Sequence, residues 1–181
     1  MPFKPISTPR LILRNLRPED AAAMFSVRTH PSTLRFQPWH PEAVSDVESF
    51  IDSQRARSLG ENGWLQLAIV LQEAGTFIGD IGIRRKTDPA QFELGITVAP
   101  TARRRGYGAE ALRAVITYLF KAQGAHRLVG IADARNEASL ALMQRCGMRR
   151  EALLRESFLF HGEWTDEVIC AILRDEWERK S

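Results

Sequence analysis

Apolar positions along this chain change their period several times, and each change marks an element. Near the start, Leu11, Ile12 and Leu13 in RLILRNL read as a strand. Pro18 then opens a helix with Glu19 and Asp20 in its first turn, where acids are favoured. That helix is expected to run to about His30 and to be stopped by Pro31. Prolines at 31, 38 and 41 make PSTLRFQPWHP an expected irregular loop carrying Phe36 and Trp39. A second helix follows, with Ala43, Val47, Phe50 and Ile51 at three- and four-residue steps.

From Trp64 the period becomes two. Leu65, Leu67, Ile69 and Leu71 alternate with other residues as in a strand, Gly75 turns the chain, and TFIGDIGIRR forms the next strand. Its glycines, Gly79 and Gly82, point to a bulge or a close backbone approach. In QFELGITVAP, Phe92, Leu94, Ile96 and Val98 face one side, and Glu93, Gly95 and Thr97 the other. Pro100 ends this strand, RRRGYG follows, and Leu112, Val115, Ile116 and Leu119 then form one stripe of a helix. HRLVGIAD is a short strand, and Asn136 caps a helix that closes at Gly147. Two extended runs, about 148–160 and 164–173, meet at His161, Gly162 and Glu163 as a hairpin. The order predicts an α/β domain with a mostly antiparallel sheet and a βαβ unit in its middle.

A length of 181 residues predicts a single domain over 1–181, at roughly 100–200 residues per domain. Apolar residues at 44% and charged residues at 26% are globular values and argue against a disordered chain. No apolar run approaches the roughly 20 residues of a membrane span, and MPFKPIST has no hydrophobic signal core, so a cytoplasmic protein is expected. Cys146 and Cys170, with His30, His40, His126 and His161, show no ligand spacing, so no metal is expected. The net charge of +3 says little about partners. The arginines gather once in an unbroken triplet, Arg103, Arg104 and Arg105.

That triplet stands where a helix begins. First-turn amides lack partners, peptide dipoles add partial positive charge, and Gly106 and Gly108 let the backbone curl closely around a ligand. The expected guest is a phosphate or pyrophosphate, against the plainer reading of a solvated arginine run with two turn glycines. Neither GxxxxGK[ST] nor GxGxxG is present, so a Walker loop or a Rossmann fingerprint is not supported.

Taken together, TPRLILRNLRPEDA, FIGDIGI, FELGITVAPTARRRGYGAEAL and ARNEASLALMQRCGMRREALLRE resemble the GNAT family of N-acetyltransferases, in particular its ribosomal-protein alanine or serine acetyltransferase-like branch. The likeness covers nearly the whole chain, and the family's Q/R-x-x-G-x-G/A motif falls on Arg103, Gly106 and Gly108. It implies a sheet of six to seven strands, splayed in the middle, with helices on both faces. It also implies acetyl-CoA as cosubstrate, with main-chain groups near Thr97 and Val98 meeting the pantetheine arm. The loop Arg103, Arg104, Arg105, Gly106, Tyr107, Gly108 and Ala109 would take the pyrophosphate. Asn136 and Ser139 would lie near the thioester, although a helix cap alone accounts for Asn136.

Acetyl transfer needs a base for the ammonium and an acid for the thiolate. Glu93, on the face of Gly95 and Thr97, is the candidate base, with a solvent-facing strand acid or an ion-pair partner as the plainer reading. Where many members of the family carry a tyrosine acid this chain has Met143, so Ser139 is the candidate for the sulfur side, against a serine that only satisfies local amides. Cys146 reads as a packed apolar residue and not as a nucleophile, which leaves direct attack by the amine.

Phe36, Trp39 and Trp164 are the expected walls for the acceptor, although each tryptophan is equally suited to a core or a dimer interface. The acceptor is expected to be a primary amine, foremost a protein N-terminus, with a polyamine, amino acid or aminoglycoside as the alternative. A non-catalytic acyl-CoA sensor is a rival from another class. Neither a membrane nor a nucleic acid is expected as partner, and a homodimer is left open.

Overall fold

Eight strands form one sheet in this computed structural model, which describes residues 3–55, 57–59, 61 and 63–179. They are β1 (Ile6–Ser7), β2 (Leu11–Asn15), β3 (Trp64–Leu71), β4 (Phe77–Arg85), β5 (Gln91–Val98), β6 (Arg127–Asp133), β7 (Arg149–Phe160) and β8 (Glu163–Leu173), in the spatial order β1-β2-β3-β4-β5-β6-β8-β7. The helices are α1 (Ala21–Arg28), α2 (Pro31–Leu34), α3 (Val44–Arg55), α4 (Tyr107–Ala122), α5 (Glu137–Arg145) and α6 (Arg174–Glu178). Every pairing is antiparallel except β5 with β6, which α4 connects as the expected crossover.

Two expectations are corrected. The sheet has eight strands and not six to seven, because Ile6 and Ser7 pair with Leu13 and Ile12. Two residues are too few to display a period. Pro31 also begins a helical turn instead of only stopping one: the His30 side chain accepts from the Ser32 N–H, and proline serves well at a first helical position. The irregular stretch therefore starts only after α2.

Helices cover both faces. On one, Leu112, Val115, Ile116 and Leu119 of α4 are buried, and Met143 of α5 packs its sulfur over Gly130 in β6. On the other, α1 and α3 meet polar residues of the sheet: Arg28 pairs with Asp80, and the Gln54 side chain accepts from the Gln66 amide at 2.9 Å.

The middle of the sheet splays. Pairing of β5 with β6 runs from Gln91/Arg127 to Leu94/Gly130 and stops. Beyond that rung β5 continues on β4 to Val98/Gly79, and β6 continues on β8 to Asp133/Glu167. Two strands thus diverge with their facing edges unpaired. Gly79, at φ +150° beside a register shift between Ile69 and Val70, lies so near β5 that a Cβ on it would stand 2.2 Å from the Thr97 carbonyl oxygen. The close approach expected of the strand glycines is present there.

Candidate active site

The open end of the β5/β6 gap lies beside the start of α4. Gly106 caps this helix at φ +82°, and Arg104 also takes a positive φ of 61°. The first main-chain bond of the helix runs from the Glu110 N–H to the Gly106 carbonyl at 3.0 Å. The amides of Arg105, Gly106, Tyr107, Gly108 and Ala109 have no main-chain partner among the described residues. Unsatisfied donors at the positive end of a helix dipole suit an oxyanion such as pyrophosphate.

The three arginines of the triplet differ in what they hold. Arg104 and Arg105 make no side-chain hydrogen bond or ion pair among the described residues, so both cations are available to an anion. Arg103 is committed elsewhere. Its Nε donates to the Val98 carbonyl at 3.0 Å, and its terminal nitrogens donate to Ser32 Oγ at 2.7 Å and Thr33 Oγ1 at 3.2 Å. Its own amide is spent on the Pro100 carbonyl.

Gly108 also differs from expectation. A Cβ there would meet Val98 Cγ2 at 3.3 Å and Leu142 Cδ2 at 3.4 Å, so the glycine lets α4 close onto β5 and α5, and its open side is not the phosphate approach.

The edge of β5 has a defined sense. The Ala99 amide donates to the Ile78 carbonyl on β4 at 2.8 Å. Successive residues turn their main-chain groups to opposite edges of a strand, so Val98 and Ile96 turn theirs to the gap and Thr97 turns its own to β4. This corrects Thr97, whose main chain is engaged near Gly79; the Val98 N–H is the group presented to an added extended chain. Such a chain would run toward Gly130, the last paired rung.

At that rung Met143 is buried, its sulfur filling the space over Gly130. A thioether has no proton to give. Ser139 stands one turn earlier on the same face of α5, half-buried, and its hydroxyl makes no hydrogen bond among the described residues. Asn136 accepts from the Ser139 N–H at 3.1 Å, so its cap is realised.

Glu93 lies across the sheet from this helix, buried, with an ion pair to Arg84 at 2.5 Å, and Arg84 in turn covers the Trp64 ring. The ion-pair reading of Glu93 is thus realised, and a solvent-facing acid is not. Cys146 and Cys170 are both buried, and burial pushes both thiols up, away from the reactive thiolate. Tyr107 lies under the Arg10 guanidinium, and the Tyr118 hydroxyl accepts from Gln123, so neither replaces the missing acid.

Two side-chain clusters beside the candidate site escaped the sequence. Arg10 donates Nε to Glu110 at 2.7 Å and a terminal nitrogen to the Arg105 carbonyl at 3.0 Å, clamping the loop from 95 residues away in the chain. Thr8 adds a 2.6 Å bond to Glu110. The second is a polar cluster beneath Trp39. Arg28 and Gln66 both donate to Asp80 Oδ1, and Arg28 reaches Gln37 at 3.3 Å. Burial pushes the fully enclosed Asp80 carboxyl up against the opposing pull of Arg28 and Gln66, and Asp80 Oδ2 has no hydrogen-bond partner among the described residues. A lone acid inside FIGDIGI was the available signal.

No ring contact joins Phe36, Trp39 and Trp164, the proposed acceptor walls, to one another among the described residues. Trp39 stacks on Phe50 at 4.8 Å and lies under Arg28, Phe36 is covered by Arg35, and Trp164 is 62% exposed on the hairpin. Contact between the two segments comes instead from His40 and His161, whose rings are 5.9 Å apart. A hollow of about 450 Å³ lies away from them, lined by Pro9, Arg10, Leu71, Gln72, Glu73, Ala74 and Tyr107. No group of His, Cys, Asp and Glu among the described residues could hold a metal, and none of their helices is long and apolar enough to cross a membrane.

Comparison with known proteins bears directly on this geometry. The model of the acetyltransferase (GNAT) domain matches residues 10–149. The uncharacterized N-acetyltransferase YnaD of Bacillus subtilis is 27% identical over 172 residues, which cover 95% of this chain and 98% of that protein. The [ribosomal protein uS5]-alanine N-acetyltransferase of Escherichia coli is 30% identical over 84 residues, 46% of this chain and 43% of its own. A GNAT-family acetyltransferase structure from Bacillus anthracis superposes with a TM-score of 0.85 at 24% identity, covering 95% of this chain and 99% of that one.

Proposed function

Because the chain belongs to the GNAT acetyltransferase family, it is an acetyl-CoA-dependent N-acetyltransferase, and we propose that the amine it acetylates is a protein N-terminus. The observation that supports the cofactor half is the juxtaposition of the unpartnered α4 amides with Val98, at the open end of the gap that begins where the β5/β6 ladder stops. The Arg105 to Ala109 amides, with the Arg104 and Arg105 side chains, would hold the pyrophosphate, and the Val98 N–H would meet the pantetheine arm. Acetyl-CoA brings an activated acyl group on a thiolate leaving group.

In this reading the acceptor nitrogen attacks the thioester carbonyl carbon directly. Glu93 takes the ammonium proton, and Ser139 passes a proton to the sulfur as the carbon–sulfur bond breaks. The Arg84 pair holds the Glu93 carboxylate in place while the base works through one oxygen or a water. The Asn136 cap orients the turn that bears Ser139.

The choice of a protein N-terminus rests on two supports. The segment 35–40 approaches the β7/β8 hairpin at His40 and His161, and Leu153, Phe158, Leu159 and Trp164 of the hairpin are exposed, a surface that suits an extended peptide better than it encloses a small amine. A relative acts on a ribosomal protein alanine, by its name. Thiol release from acetyl-CoA, measured against peptides with N-terminal alanine or serine, a polyamine, a free amino acid and an aminoglycoside, tests the assignment. Release with the peptides alone is expected; release with a small amine alone would reassign the acceptor. No release with any amine would favour a non-catalytic acyl-CoA sensor. In the active pairing, Glu93→Gln is expected to lower turnover by about 100-fold and flatten its pH dependence, with acetyl-CoA affinity retained. Unchanged rates across pH would remove Glu93 from the mechanism.

A further inference from the structure

Arg103 occupies the first position of the loop motif, yet its guanidinium points at the other half of the site. It bonds the Val98 carbonyl, on the gap edge of β5, and the hydroxyls of Ser32 and Thr33, on α2. All three acceptors are neutral, and no carboxylate pairs with Arg103 among the described residues. Thr33 is buried, and Ser32 Oγ lies 2.9 Å from His30 Nδ1, so the contact reaches the cap that starts α2. The turn it grips leads directly into Phe36, Trp39 and His40.

Other ties on this segment run elsewhere. Gln37 meets Arg28, Trp39 lies against Phe50, and His40 faces His161. Arg103 alone among these ties joins it to the loop whose amides face the gap. A planar, multi-donor guanidinium can hold three oxygens at once, which an ammonium on a flexible stem cannot reproduce.

We propose that Arg103 is a positioning residue that couples the acetyl-CoA loop to the segment 31–40, so that filling the loop orders the acceptor side. The inference rests on the acetyl-CoA site described above. The cosubstrate bridges the already formed loop of residues 104–109 to the Val98 edge and damps motion between them, Arg103 is anchored between the two, and its bonds to Ser32 and Thr33 then hold α2 in one place. Arg103 contributes little to the affinity for acetyl-CoA itself.

Hydrogen exchange of peptides covering residues 29–41, with and without saturating acetyl-CoA, tests this alongside calorimetric acetyl-CoA affinity. In the wild type, acetyl-CoA is expected to slow exchange in this segment by about tenfold, the equivalent of one firm set of contacts. Arg103→Ala and the double variant Ser32→Ala/Thr33→Val should both bind acetyl-CoA within about threefold of wild type and lose that protection. Arg103→Lys should recover part of it. The double variant leaves the loop untouched, so loss of protection there cannot be a defect of the loop. Protection retained in both variants, or absent from a wild type that binds acetyl-CoA, overturns the coupling. A fall in affinity of tenfold or more in Arg103→Ala, with the double variant unaffected, would make Arg103 a phosphate ligand instead. No acetyl-CoA binding by the wild type would sink the loop assignment first and the coupling with it.

Discussion

Between Val98 and Ala109 the groups that would face the acyl donor in the proposed site are chiefly main-chain amides, joined by the Arg104 and Arg105 side chains and held by the left-handed turn at Gly106 and by the close packing of α4 at Gly108. Between Pro31 and His40 they are side chains on one helical turn and a run of irregular backbone, tied down by Arg28, Phe50, His161 and Arg103. The first region is ready before any ligand arrives, because its donors belong to the fold. The second depends on side-chain contacts made from several parts of the chain. This difference teaches where selectivity can vary in the proposed site: the acyl donor would be met largely by backbone donors, and the acceptor by side chains that substitution changes freely.

The strongest way to break this contrast is to disturb the prebuilt region at its packing. Gly108→Val places γ-carbons beyond a Cβ that already stands 3.3 Å from Val98 and 3.4 Å from Leu142, so α4 must move off β5. Overpacking of this kind costs about 1–3 kcal/mol, and the displaced amides should weaken acetyl-CoA binding by tenfold or more, on the order of that same energy. Gly108→Ala asks its neighbours to give only a few tenths of an ångström and should bind nearly as wild type. Calorimetry on the folded variants reads both. Wild-type affinity in Gly108→Val would mean that the amides do not depend on α4 seating.

A smaller effect separates the two tryptophans assigned to the acceptor. Trp39 is half-buried against Phe50 and the Arg28 guanidinium, so Trp39→Ala should cost about 2 kcal/mol in urea unfolding, part of the cost of emptying a fully buried aromatic site. Trp164 is 62% exposed, and Trp164→Ala should stay within about 0.5 kcal/mol of wild type. Equal losses would show that the hairpin tryptophan is covered in solution, and the open face with it.

What the sequence disclosed follows the same division. Period-two runs and the α4 stripe were legible because burial repeats over many residues, and RRRGYG was legible because loop, glycine and helix start are contiguous. The pairing of Ile6 and Ser7 was hidden by its length, and the helical start at Pro31 by the double meaning of proline. Three adjacent arginines looked alike, yet only Arg103 turns to α2, since direction depends on neighbours supplied by distant elements. Arg10 reaches Glu110 across 100 positions. An ion-pair partner is among the plain readings of Glu93, but only strand register selects Arg84 as that partner.

The smallest expected effect probes whether the clamp on the prebuilt region exists in solution. Burial alone would raise the Glu110 carboxyl, but bonds from the Thr8 hydroxyl and the Arg10 amide and guanidinium outweigh it and hold the group below its usual 4.5. A carboxyl depressed in the folded state contributes stability at higher pH and loses it as pH falls from the unfolded value through the folded one, where only the unfolded chain takes up the proton. Wild-type stability should therefore fall more steeply than that of Glu110→Gln below about pH 4.5, with the wild type the more stable near neutrality. Asp133 and Glu151, also held low by arginine partners, steepen both curves equally, and Asp80, raised by burial, acts in the opposite sense in both. The difference between the two urea-unfolding series across pH thus isolates Glu110. Parallel series would mean that Arg10 does not grip the helix start, and the loop would then owe its shape to Gly106 and Gly108 alone.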